Sequence, residues 1–118
     1  MSQSTQTTEI TPEIYRRLQL TPEQLYEFCQ RWQVAELSLF GSVLRDNFHD
    51  ESDIDFLVLF QPAAEYSLFD HFDMQEELAE LVQRPVDLIS KKGIENSRNW
   101  LRKKNILESA EVIYVSRQ

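Results

Sequence analysis

Phe40-Gly41-Ser42, ten further residues, and then Asp53-Ile54-Asp55-Phe56-Leu57-Val58-Leu59-Phe60 form the stretch that decides this chain. Residues 34–40 are apolar enough to read as a buried strand, and residues 42–48 read as a short helix. The Gly-Ser pair is therefore expected where a strand turns into a helix N-terminus. Such a turn suits an anion. Gly41 has no Cβ to hold a phosphate away from the backbone, the first helical N–H groups lack internal partners, and the dipole there favours negative charge. Ser42 adds a hydroxyl directed at the same oxygens.

Asp53 and Asp55 open the second apolar run, and residues two apart on a strand point the same way. Both carboxylates are thus expected on one face. Two anions so close repel, unless a cation lies between them. Magnesium takes hard oxygen ligands and keeps positions open for water and substrate phosphates. A two-metal site of the nucleotidyl-transfer kind asks for a third carboxylate, and Val86-Asp87-Leu88-Ile89-Ser90 places Asp87 in another short apolar strand. A calcium loop is the competing reading of the acidic residues Asp46, Asp50, Asp53 and Asp55. Its ligand order fails: counted from Asp46, Phe48 falls on a ligand position and Glu51 where the sharp turn needs glycine.

With these residues in place the chain resembles the DNA-polymerase-β-type nucleotidyltransferases. More narrowly it is similar to the minimal nucleotidyltransferase (MNT) branch, the antitoxin half of HEPN/MNT toxin–antitoxin pairs. The likeness runs through Leu39-Phe40-Gly41-Ser42-Val43-Leu44-Arg45, Ser52-Asp53-Ile54-Asp55-Phe56-Leu57-Val58, Ser67-Leu68-Phe69-Asp70 and Arg84-Pro85-Val86-Asp87-Leu88, and reaches from about residue 20 to the end. The resemblance implies an α/β nucleotidyltransferase fold, a mixed sheet of about four strands with helices packed on it. It also implies that Asp53, Asp55 and Asp87 bind two Mg2+ ions and that Gly41 and Ser42 hold the phosphates of ATP. Arg45, next in the run, is a candidate to offset phosphate charge, with a plain surface residue as the other reading. The implied activity is AMP transfer from magnesium-ATP to a hydroxyl, a tyrosine, of a HEPN ribonuclease toxin. A non-catalytic antitoxin that works by occlusion is the alternative. A transferase acting on small molecules would need a second domain or a dimer to form its acceptor pocket. In one place the sequence departs from the family: Asp46 follows Arg45 where glycine is usual.

Composition narrows the class further. At 118 residues, 42% of them hydrophobic, the chain suits one domain with one packed core. A polar tail over residues 1–10 and a nucleotidyltransferase domain over 11–118 are expected. The formal charge of −8 opposes sequence-independent nucleic-acid binding, which draws its affinity from Lys and Arg meeting phosphates. Lys91, Lys92, Arg98, Arg102, Lys103 and Lys104 nevertheless cluster after the third strand, either as a solvated helix face or as a contact for nucleotide or an acidic partner. No apolar run approaches a membrane span, and the uncharged opening lacks the parts of a signal peptide. Cys29 is the only cysteine and reads as core. These features point to the cytoplasm.

Local signals place the rest. Thr21-Pro22-Glu23-Gln24 is a helix start, with a Thr cap, Pro at the first position and Gln three residues after the cap. Leu25, Phe28, Cys29 and Trp32 then share a face. Ser67 caps a second long helix whose apolar positions are Leu68, Phe72, Leu78, Leu81 and Val82, ending at Arg84-Pro85. Beyond Asp87 the sequence predicts a turn at Lys91-Lys92-Gly93, a helix through Trp100 and Leu101, a separate helical turn from Ile106 to Ser109, and a last strand at Val112-Ile113-Tyr114-Val115. His49 and His71 have no zinc-ligand spacing.

Overall fold

A computed structural model describes residues 12–116. The polar tail expected over residues 1–10 lies outside them. Four strands, β1 (Val34–Phe40), β2 (Ile54–Phe60), β3 (Val86–Ser90) and β4 (Glu111–Val115), form one mixed sheet in the order β3-β2-β1-β4. β1 runs antiparallel to both β2 and β4, whereas β2 and β3 are parallel. A parallel pair needs a crossover, and the helix α3 (Leu68–Val82) supplies it.

Strand alternation splits the core in two. Ile54, Phe56 and Val58 of β2 face Leu25, Phe28 and Cys29 of α2 (Pro22–Arg31) and Met74, Leu78 and Val82 of α3, with Leu18 of α1 (Pro12–Leu18) joining them. On the other face Leu57 meets Phe40, Ile94 of α4 (Lys91–Glu95) and Ile106 of α5 (Trp100–Ser109). The second cluster is much the smaller. At the end of that face where β2 and β3 begin, Phe40 is buried, Asp55 half-buried and Asp87 exposed.

Both helix starts form as expected. Thr21 accepts from the Gln24 N–H while Gln24 reaches back to the Thr21 N–H, and Ser67 and Asp70 do the same for α3. Each such cap is worth about 1 kcal/mol. Glu77 of α3 receives the Trp32 indole N–H at 3.0 Å and pairs with Arg31, so α2 is tied to α3 at its C-terminal end.

Three expectations change. Leu68 and Phe72 are not core residues, being 69% and 53% exposed, with Phe69 at 80%. The face of α3 turned to the sheet is set by Met74, Leu78 and Val82, which leaves Leu68 and Phe72 on the outer side. Lys91-Lys92-Gly93 is a short helix rather than a turn, because the Ser90 hydroxyl caps the Gly93 N–H at 3.2 Å. The two helical pieces expected after residue 99 are one helix, capped by Asn99 on the Arg102 N–H; no Gly or Pro interrupts it.

Cys29 is fully buried, and burial pushes its thiol well above its ordinary pKa. Its modification by a maleimide at neutral pH should be slower in the folded protein than in denaturant by at least about a hundredfold, since access needs an opening of the core. Equal rates would mean that α2 does not pack as described. Among the described residues no helix is long and apolar enough to cross a membrane.

Candidate nucleotide site

On the face of the smaller cluster, β1 ends, β2 begins and β3 begins side by side. The register pairs Phe40 with Asp55 across the antiparallel ladder and Asp55 with Asp87 across the parallel one. Register partners on neighbouring strands present their side chains to the same face. Asp55 and Asp87 therefore stand next to each other, on the face of Leu57 and away from the main core. Asp55 is half-buried and Asp87 exposed. Asp53 lies just ahead of β2, outside the ladder and exposed.

Electrostatics joins the three. Burial raises the Asp55 carboxyl above its ordinary range; the charge of Asp87 raises it further, then that of Asp53, and Arg45 pulls it partly back. Three acids and one base thus sense one another at a single carboxylate. Such a cluster asks for a cation. Among the described residues no three Asp, Glu, His or Cys side chains stand close enough together to hold a metal ion as a group. Magnesium does not need such a group, since it is usually held by one or two carboxylates and completes its shell with water and substrate phosphates. The hard-oxygen donor set fits that ion.

Gly41 performs a task the sequence did not reveal. Its φ of +82° is a conformation that side chains rarely adopt. A Cβ at this position would stand 3.3 Å from Asp55 Cγ and overlap Oδ2 outright. The missing side chain is the space that the Asp55 carboxylate occupies. Glycine is required here by the acid next to it as well as by the turn.

The helix expected over residues 42–48 is a single 3-10 turn, Gly41–Leu44, with Arg45 in extended backbone. The physical reason lies in a distant residue. Arg17 of α1 donates through Nη1 to the carbonyl of Val43 at 2.9 Å and to that of Arg45 at 2.7 Å, carbonyls that a continuing helix would have needed for its own ladder. One turn has no useful macrodipole. An anion at this place would be met by the N–H groups of a tight turn and by the Ser42 hydroxyl, with Ser42 half-buried. Arg45 is exposed, yet close enough to act on Asp55.

The other titratable candidates take structural parts. His71 Nε2 meets the Leu88 carbonyl at 2.7 Å and Nδ1 meets the Tyr66 hydroxyl at 2.7 Å, so it links α3 to β3. Lys91 pairs with Glu36 at 2.7 Å. Lys92, Arg98, Arg102 and Lys104 are exposed on or beside α4 and α5, the helices that share the face of Asp55.

Comparison with known proteins agrees with this architecture. The nucleotidyltransferase domain family matches residues 22–113. The protein adenylyltransferase MntA of Thermococcus cleftensis is 33% identical over 89 residues, covering 75% of this chain and 82% of that protein. A Methanocaldococcus jannaschii protein named for the same activity is 35% identical over 86 residues, or 73% of this chain and 81% of its own. A solved structure described as a minimal nucleotidyltransferase superposes with a TM-score of 0.58 at 30% identity, over 75% of this chain and 84% of that one. A chain from the complex of a tri-AMPylated Shewanella oneidensis HEPN toxin with its MNT antitoxin superposes with a TM-score of 0.55 at 18% identity, covering 80% of this chain and 69% of that one, a likeness of fold.

Proposed function

The chain belongs to the nucleotidyltransferase domain family, and from that premise we propose that it is an antitoxin that transfers AMP from ATP to a hydroxyl of a HEPN toxin. One observation carries the reading: Asp55 and Asp87 are register partners on one open face, with Gly41 cleared to make room for the Asp55 carboxylate. The names of its relatives give the same reaction type.

Asp53, Asp55 and Asp87 are the residues that would hold magnesium. Bound there, the ion would neutralise triphosphate charge and lower the pKa of an attacking hydroxyl. The chain's own part is placement. The Gly41-Ser42 turn would seat the phosphates with its N–H groups and the Ser42 hydroxyl, and Arg45 would offset their charge at the rim. The acceptor oxygen then forms a bond to the α-phosphorus, the bond from that phosphorus to the bridging oxygen breaks, and pyrophosphate leaves. A tyrosine hydroxyl suits this as acceptor, because its proton is given up more readily than that of serine. The partner's own surface would complete the acceptor side of the site.

Co-expression tests this directly. The unaltered protein should relieve the growth arrest caused by its HEPN partner, while Asp53→Asn and Asp87→Asn should still bind that partner and fail to relieve it. Relief by both variants at the unaltered level would replace catalysis with occlusion.

A further inference from the structure

We propose that Arg84 is a positioning residue of this site, which fixes the carboxylate of Asp53 relative to that of Asp87. The inference rests on the reading of those carboxylates as a seat for a magnesium nucleotide, and goes beyond it to a residue that touches none of the reactants.

Arg84 sits between the left-handed cap of α3 at Gln83 and the start of β3, only three residues before Asp87. Its backbone is held on both sides: the Arg84 N–H donates to the Ala79 carbonyl at 3.3 Å, and the next carbonyl, of Pro85, accepts from the Ile54 N–H at 3.1 Å. Its side chain turns toward the other acidic segment. Nη1 donates to the Ser52 carbonyl at 2.8 Å and to the His49 carbonyl at 2.9 Å. The Ser52 carbonyl belongs to the peptide that leads into Asp53. One guanidinium thus bridges the strand that carries Asp87 and the loop that delivers Asp53.

At its start the loop has one other side-chain anchor, Arg17 of α1, which donates to the Arg45 carbonyl at 2.7 Å; the Asp53 end has Arg84. Residues 45–53 contain no glycine and form no helix or strand. Within the loop the Ser52 N–H donates to the His49 carbonyl at 2.9 Å and the His49 N–H to Ser52 Oγ at 3.0 Å. These bonds shape the turn without attaching it to the sheet. Phe48 is its one residue packed on the main core, and it does so beneath the guanidinium of Arg84, whose carbon lies 4.5 Å from the ring centroid; that of Arg17 lies at 5.3 Å.

The chemistry of Arg84 points to geometry rather than charge pairing. It is half-buried, and no carboxylate pairs with it among the described residues. Its Nε is buried without an acceptor, an arrangement that disfavours the fold. A guanidinium kept in such a place, with its donors on two loop carbonyls, is doing a positional task that a planar fork performs and a flexible ammonium performs less well. Groups that orient metal ligands from outside the ligand set are worth roughly 10–100-fold in metal affinity.

The test is Mn2+ binding followed by electron paramagnetic resonance, in the presence of the non-hydrolysable analogue AMP-PNP, on the full chain and on Arg84→Met and Arg84→Lys. Binding is scaled to the folded fraction from circular dichroism, and amide exchange is read over residues 46–53. We expect Arg84→Met to weaken Mn2+ at least about tenfold and to speed exchange in the loop but not in α2 or β1, with Arg84→Lys recovering part of both. Mn2+ affinity within twofold of the unaltered protein in both variants, scaled to folded protein, overturns the role of Arg84 alone. An unaltered protein that takes up no Mn2+ with AMP-PNP overturns the site reading and this proposal with it.

Discussion

Asp55→Asn should reduce AMP transfer about a thousandfold or more while leaving the fold intact. The change is nearly isosteric and replaces a charged metal ligand by a neutral amide. Metal stabilisation of developing phosphoryl charge is worth several kcal/mol, and about 4 kcal/mol already corresponds to a thousandfold in rate. The second half of the prediction concerns stability. In the absence of metal Asp55 is burdened by burial and by the charges of Asp87 and Asp53, so removing its charge should leave the melting temperature of the metal-free protein unchanged or higher. Magnesium with nucleotide should then raise the melting temperature of the unaltered protein and not that of the variant. A variant that melts lower and still transfers AMP would contradict the account on both counts.

Gly41→Val should be the most damaging single change at the site. It combines two costs that add. A branched side chain at a φ of +82° is strained by about 1–3 kcal/mol, and its Cβ enters the space of the Asp55 carboxylate. The carboxylate cannot retreat far, since the ladder bonds of β2 fix its backbone opposite Phe40 and Asp87. Transfer activity should fall at least as far as with Asp55→Asn, and thermal stability should fall as well. Gly41→Ala meets the same first atom and should show the same signs at smaller size. The double change Gly41→Ala with Asp55→Gly should recover the share of stability lost to the overlap, but neither the share lost to the strained φ nor the activity. Measured melting temperatures for the four proteins form a cycle, and additive effects in it would mean that the two residues do not touch.

The sequence was most legible where structure is local. Thr21 and Ser67 each start a helix with the partner three residues on, and both caps form. The apolar run around Asp87 placed that acid in a strand, as it is found; its pairing with Asp55 as a register partner depends on how β2 and β3 align, which no local signal encodes. Two of the misses share one cause. The turn after Gly41 is cut short by Arg17, whose bond to Val43 reaches across 26 positions, and the loop before Asp53 is held by Arg84 across 32. An arginine at either place has no pattern to mark it. Gly41 was read as making room for a phosphate, although the nearest occupant is a carboxylate of the same chain. Leu68 and Phe72 carried the helical period of α3 but fell on its outer side, since period alone does not say which of two apolar edges meets the sheet.

Transfer of AMP by this chain onto a protein is measured without intermediaries by intact-mass spectrometry of the HEPN partner. The partner is incubated with the unaltered chain, ATP and magnesium, alongside reactions containing chelator or Asp55→Asn. The partner should be heavier by one or more whole AMP groups in the complete reaction, with the added mass on tyrosine, and unchanged in the other two. A stable complex in which the partner keeps its original mass throughout, with its toxicity suppressed, would contradict that transfer.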